Sequence, residues 1–270
     1  MIRFPFVKLN IGLHITEKRD DGFHNLESIF YPAALTDALE FVPAQQDSPL
    51  QLFGNEAGGA GQENLVNKAA KLLRSQYNVP SFDAALYKKI PAGAGLGGGS
   101  SDAAFTLMML NDLFELNISG EELSRLALHL GSDCPFFIEG KPALATGRGE
   151  IFKPLPDFLK GYHWIIVFPG VSIDTANAYK NIIPNAGRPS LSGLTEQPFH
   201  EWEKLAVNDF EEYAFSIFPE LKEIKTTLYE KGARFASMTG SGSAIYGIFD
   251  TAPPVNLPAD NTWQVFRGQF

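Results

Sequence analysis

Between Ile90 and Phe114 the chain runs IPAGAGLGGGSSDAAFTLMMLNDLF, with glycine at five of the seven positions from Gly93 to Gly99 and an apolar ladder directly after them. Ala103, Leu107, Leu110 and Phe114 recur every three or four residues, so the ladder is one face of a helix. Upstream, DAALYKKI at 83–90 reads as a short strand, and the glycines therefore join a strand to a helix. Glycine accepts positive φ and lets the backbone approach a ligand closely, while the first turn of a helix presents unpaired N–H groups and a partial charge of roughly half an elementary unit. Such a junction cradles phosphate. Ser100 and Ser101 fall where loop meets helix, within reach of phosphate oxygens or a phosphate-bound Mg²⁺. The alternative is a flexible linker with serine caps, but a linker does not ordinarily separate a strand from an amphipathic helix. No Gly-Lys-Ser/Thr closes the segment, which excludes a Walker A loop, and its G-x-G-x-x-G spacing alone is weak evidence for a dinucleotide.

Around this junction the pattern is mixed. RFPFVKLNIGLHIT alternates over much of its length and ALEFV continues the strand character. The polar stretch Gly54–Asn64 reads as a turn or mobile connection leading into Leu65, Ala69 and Leu72, one helix face. SGEELSRLALHL opens with Ser119 and Glu122 at capping-box spacing and turns Leu123, Leu126, Ala127 and Leu130 inward. A second block begins near Gly161 with the apolar strand HWIIVFPG, continues through helical patterns at 201–218 and 219–231, and closes with strands at 234–238 and 243–249 that flank TGSG. Alternating strands and helices predict a mixed α/β architecture, α+β in class, divided here as residues 1–157 and 158–270.

Composition removes several function classes. No apolar run approaches the roughly 20 residues of a membrane helix, and MIRFPFVKLN lacks the apolar core and cleavage site of a signal peptide, so a cytoplasmic protein without a membrane partner is expected. The one cysteine, Cys134, excludes an internal disulfide, and the five histidines show no paired spacing for zinc. A formal charge of −9 without a Lys/Arg cluster argues against a nucleic-acid partner. Phosphates must be handled locally, and nothing in the pattern reports an oligomeric state.

PAGAGLGGGSSDAA resembles the second motif of the GHMP small-molecule kinases, a family that includes galacto-, homoserine, mevalonate and phosphomevalonate kinases. Val7–Phe30, VKLNIGLHITEKRDDGFHNLESIF, is similar to the N-terminal signature of one branch, with its Lys-x-Asn and its Arg-x-Asp-Gly-Tyr-His element; here Phe23 stands in place of the tyrosine. Leu130–Glu150, LGSDCPFFIEGKPALATGRGE, resembles the catalytic-aspartate segment, and Met238–Phe249, MTGSGSAIYGIF, the third motif. PGVSIDT and VNDFE match as well, so that similar pieces run from residue 7 to residue 249 in the family's order.

The resemblance implies a two-domain GHMP kinase fold with its active site between the domains. It implies transfer of the γ-phosphoryl group of ATP, with Mg²⁺ as companion, to the 2-hydroxyl of a small-molecule cytidine diphosphate-linked methylerythritol, in the non-mevalonate route to isoprenoids. A homoserine- or mevalonate-type kinase and a non-catalytic nucleotide-binding protein of the same fold are the alternatives. Asp133 aligns with the aspartate that takes the hydroxyl proton, although taken alone an Asp between a helix end and a proline is a turn or cap residue. Lys8 aligns with the lysine beside that aspartate. For ATP the resemblance implies the backbone of Gly93, Gly95, Leu96, Gly97, Gly98, Gly99, Ser100 and Ser101 together with Pro91, and Asn64 and Lys88 for the purine. On the substrate side it implies Asn10 near the transferred group, Phe23 stacking on the cytosine, His24 reading its edge, and Tyr179 closing the other face unless it is ordinary helix packing. Gly240, Ser241 and Gly242 would support the first loop and approach the diphosphate, with a simple hairpin turn as the blander reading.

Overall fold

The computed structural model describes residues 1–55, 63–253 and 263–270. In chain order the elements are β1 (Ile2–Arg3), β2 (Phe6–Lys18), β3 (His24–Thr36), β4 (Ala38–Pro43), β5 (Gln51–Gly54), α1 (Leu65–Arg74), β6 (Phe82–Lys88), α2 (Gly98–Leu113), α3 (Gly120–Leu128), α4 (Phe136–Glu139), β7 (Ala143–Thr146), β8 (Ile151–Pro154), β9 (His163–Phe168), α5 (Thr175–Lys180), α6 (Phe199–Leu205), α7 (Glu211–Ile217), α8 (Pro219–Glu230), β10 (Phe235–Met238), β11 (Ile245–Phe249) and β12 (Gln264–Gln269), with a 3-10 turn at Leu191–Glu196. The mixture of helix and strand is the α+β content the pattern predicts. Most of the Gly54–Asn64 connection lies outside the described residues.

Two compact units form, one from Met1–Val7, Leu35–Ala92 and Gly97–Gly140, the other from Lys8–Ala34, Gly93–Leu96 and Lys141–Phe270. In the first, a sheet of order β1-β4-β6-β5 is antiparallel except for the parallel pair β5–β6. Strict alternation along β6 turns Phe82, Ala84, Leu86 and Lys88 inward and leaves Asp83 and Tyr87 outside. Leu39 and Phe41 of β4 and Leu86 share one core with Val66 and Leu73 of α1, Leu107 and Leu110 of α2, and Leu123 and Leu126 of α3. Ser119 caps α3 by accepting the Glu122 N–H at 3.2 Å, as the spacing predicts.

The second unit holds two sheets, β2-β3-β7-β8 and β10-β11-β9-β12. Its core joins Leu13 and Ile15 of β2 and Leu26 of β3 to Ile165 and Val167 of β9 and to Leu221, Ile224 and Leu228 of α8. The helical pattern at 201–218 is not one helix. It breaks between α6 and α7 because Asn208, 1 % exposed, turns its amide onto the Met238 and Gly240 carbonyls at 2.8 and 2.9 Å and accepts the Phe210 N–H at 3.0 Å. A side chain that recruits distant backbone in this way outweighs the apolar period of its own segment.

Candidate active site

In the first unit the glycine segment ends at Gly97, the N-cap of α2, with φ of 74°; Gly93 and Gly95 are left-handed as well, at 67° and 75°. Gly98, Gly99, Ser100 and Ser101 are the first turn of α2, whose leading N–H groups have no partner within the helix. The carbonyl of Gly97 accepts the Ser101 N–H at 2.9 Å, while the Ser101 hydroxyl is buried without a protein partner. Pro91 is buried just before the loop. Asn64 is the N-cap of α1, its side chain accepting the Val66 N–H at 2.8 Å.

Asp133 lies half-buried in the turn between α3 and α4. Its neighbour Cys134 is fully buried and meets Ser100 through its thiol, and burial pushes that thiol up to about 12. The same contact seats the Asp133 turn against the first turn of α2. A Cβ on Gly131 would stand 3.4 Å from Cys134 Sγ and 3.9 Å from Ser100 Oγ, so the turn packs closely there.

Lys88, the candidate for the purine, is drawn into a buried ion pair. It is 5 % exposed, and its ammonium is held by Asp37 and, at 2.7 Å, by Asp102. The inward period of β6 places it beneath the loop and not at the surface. Burial alone would lower its pKa, but Asp102 and Asp37 together outweigh it and the ammonium is favoured. Burial pushes the Asp102 carboxyl up, against the pull of Lys88.

In the second unit Lys8, 3 % exposed, donates to Asn10 Oδ1 at 2.5 Å and lies 4.5 Å from the centre of the Phe30 ring. Asn10 is pinned on every side. Its amide donates to Ser28 Oγ at 2.9 Å, its backbone N–H to Thr239 Oγ1 at 3.1 Å, and its carbonyl accepts the Tyr246 hydroxyl at 2.8 Å. The middle of the glycine segment is tied to the same group, through Lys8 N–H to the Leu96 carbonyl at 3.0 Å and Thr239 Oγ1 to the Gly95 carbonyl at 3.3 Å. Gly240 packs on Gly95 so closely that a Cβ would lie 2.9 Å from the Gly95 carbonyl oxygen. Ser241 meets Thr175 at 2.9 Å, and a Cβ on Gly242 would strike Ile173 and Met238.

The aromatic candidates divide. Phe23 is 51 % exposed with the Arg148 guanidinium 4.6 Å from its ring centre. Tyr179 stacks directly on His24, ring centres 5.0 Å apart at 26°, with Phe210 edge-on behind it at 4.9 Å. A base between two parallel rings needs roughly 7 Å, twice the carbon contact distance of about 3.5 Å, so that pair as arranged leaves no room for one between its rings. Burial, with Lys18 adding to it, lowers the His24 pKa, which favours the neutral ring with one donor and one acceptor.

Several residues of these networks escaped the sequence reading. Thr239 and Asn208 sit inside quoted motifs without an assigned role, and Ser28 and Asp37 carry no local signal. Asp102 does have one: a lysine at an inward strand position requires a buried carboxylate, and Asp102 opens the ladder that packs over it.

Comparison with known proteins follows the same outline. The sequence models for the GHMP kinases N terminal domain and GHMP kinases C terminal match residues 64–141 and 190–257. A 4-diphosphocytidyl-2-C-methyl-D-erythritol kinase of Bacteroides thetaiotaomicron is 48 % identical over 96 % of this chain and 94 % of its own, and one of Porphyromonas gingivalis 45 % identical over 96 % of each. A crystal structure of 4-(cytidine 5'-diphospho)-2C-methyl-D-erythritol kinase superposes with a TM-score of 0.76 at 37 % identity, covering 92 % of this chain and 90 % of that one. The Methanococcus jannaschii mevalonate kinase shares the fold at a TM-score of 0.71 with 16 % identity, over 99 % of this chain and 97 % of that one. The chain belongs to the GHMP kinases and, within them, to the family of 4-diphosphocytidyl-2-C-methyl-D-erythritol kinases. Among the described residues no helix is long and apolar enough to cross a membrane.

Proposed function

We propose that the chain transfers the γ-phosphoryl group of ATP to the 2-hydroxyl of 4-diphosphocytidyl-2-C-methyl-D-erythritol. The observation that supports the reading is the seating of the Asp133 turn on the first turn of α2 through Cys134 and Ser100, since it joins the turn that carries the proposed base to the helix start proposed for the phosphates. Phosphoryl transfer needs positioning and charge neutralisation more than covalent chemistry. The backbone of Gly95–Ser101 holds the nucleotide phosphates, and Asp133 takes the proton of the acceptor hydroxyl. Lys8, fixed by Asn10, supplies the cation of the acceptor side. His24, neutral, reads the cytosine edge, and Phe23 offers an exposed ring for its face.

ATP carries Mg²⁺, which neutralises phosphate charge when bound. No cluster of three or more His, Cys, Asp or Glu among the described residues forms a dedicated metal cage. The unpartnered Ser101 hydroxyl at the start of α2 is a hard oxygen donor of the kind Mg²⁺ accepts alongside phosphates, so the residues fit an ion brought by the nucleotide. Coupled ADP release tests the proposal, with the cytidyl substrate measured beside homoserine and mevalonate. Turnover with the cytidyl compound alone is expected. Turnover with homoserine or mevalonate and none with the cytidyl compound would overturn it.

A further inference from the structure

The glycine segment has left-handed backbone at Gly93, Gly95 and Gly97 and is conformationally permissive along its length. Its two ends, however, are tied together beneath it. Asp37 accepts the Lys89 N–H at 2.6 Å and the Ile90 N–H at 2.8 Å through one carboxylate oxygen, which holds the chain as it leaves β6. Its other oxygen holds the Lys88 ammonium, and that ammonium reaches Asp102 in the first turns of α2 at 2.7 Å. Gly98 closes over this bridge, since a Cβ there would lie 2.7 Å from Ile90 Cγ2 and 3.4 Å from Lys88 Nζ. Asp37, Lys88 and Asp102 are 1 %, 5 % and 3 % exposed, and Asp102 Oδ1 has no hydrogen-bond partner. Two carboxylates on one ammonium, with an oxygen left over, are a poor device for stability compared with well-packed apolar side chains. They are an effective device for geometry, because a three-point ionic bridge fixes distances that apolar packing leaves adjustable.

We propose that Asp37, Lys88 and Asp102 are the positioning residues of the glycine loop, bridging the end of β6 to the start of α2 so that the phosphate-facing N–H groups are preorganised. The inference rests on the reading that this loop holds ATP. None of the three side chains needs to touch the nucleotide; they act through the backbone they anchor.

Asp102→Asn and Asp102→Ala separate the bridge from the charge. An asparagine oxygen still accepts from Lys88, so Asp102→Asn is expected to keep the parent's ATP affinity and KM. Asp102→Ala cuts the bridge and is expected to weaken ATP binding by roughly ten- to a hundredfold, the penalty for a small misplacement of positioning groups, with the acceptor KM unchanged. Because loss of one buried partner can unfold the chain, the double variant Lys88→Met/Asp102→Asn, which leaves Asp37 with its two N–H donors and no stranded ammonium, is measured as well and should lose the same affinity. Each variant is checked by urea midpoint, ATP calorimetry and both KM values. Parent-like ATP affinity in the folded double variant and in Asp102→Ala, or a parallel rise of the acceptor KM, overturns the proposal. Gly97→Val is run alongside: if it too binds ATP normally, the assignment of ATP to the loop fails instead.

Discussion

His14 is buried, with its Nε2–H directed at the Leu205 carbonyl at 3.1 Å. Burial, with Arg188 adding to it, outweighs the opposite pull of Asp209 and holds its pKa below the ordinary value of 6.5. The unfolded chain therefore takes up a proton at a pH where the folded chain does not, and stability falls as the pH drops below that value while nothing is lost above it. Urea midpoints at about pH 8 and about pH 5.5 should diverge less in His14→Gln than in the parent; equal divergence would show that other groups carry the acid sensitivity. Asp133 belongs to the same scale. Asp133→Ala is expected to lower the rate by about 10²–10⁴, the usual contribution of a positioned base, and to leave ATP binding nearly intact, because the proposed function assigns the nucleotide to backbone and not to this carboxylate. Single-turnover rates and calorimetry on the variant check both halves, and near-normal turnover would remove Asp133 from catalysis.

Loops and strands show where local pattern is informative and where it stops. The glycine loop and α2 were legible because each signals itself locally, one by permissive backbone, the other by period. The α6–α7 break was not, since the partners of Asn208 lie at Met238 and Gly240, far along the chain. β7 and β8 are four residues each and carry too short a period to read; β7 exists because Ser28–Phe30 of β3 pairs with it. Two glycines of the loop should fail differently. Gly97 is an N-cap at positive φ, so Gly97→Val is expected to weaken ATP binding in a chain that still folds. At Gly95 a Cβ would lie 2.1 Å from the Thr239 carbonyl oxygen at φ of +75°, so Gly95→Ala should lower the urea midpoint itself. Equal effects on folding and binding in both variants would refute the distinction.

Across the whole molecule the chain passes between its two units at residues 7–8, 34–35, 92–93, 96–97 and 140–141. Period and caps mark elements, but they do not say which distant segments share a core; Leu13 and Leu228 meet in one cluster without any local sign of it. For the same reason the candidate site was legible as a set of motifs, whereas the buried partners that hold Lys8 and Asn10, and Asp37 beside Lys88, emerged only in three dimensions. The lone thiol of Cys134, packed on Ser100 and raised to about 12, offers a clock for these structures. Only a thiolate attacks a disulfide reagent, displacing its other sulfur as the leaving thiolate, so labelling of the native chain waits on an opening of the surrounding unit, and its rate measures how often that opening occurs. ATP at a hundred times its Kd should deepen the closed state by about 2.7 kcal/mol and slow the label roughly a hundredfold. With one cysteine in 270 residues, every event counted comes from that single place.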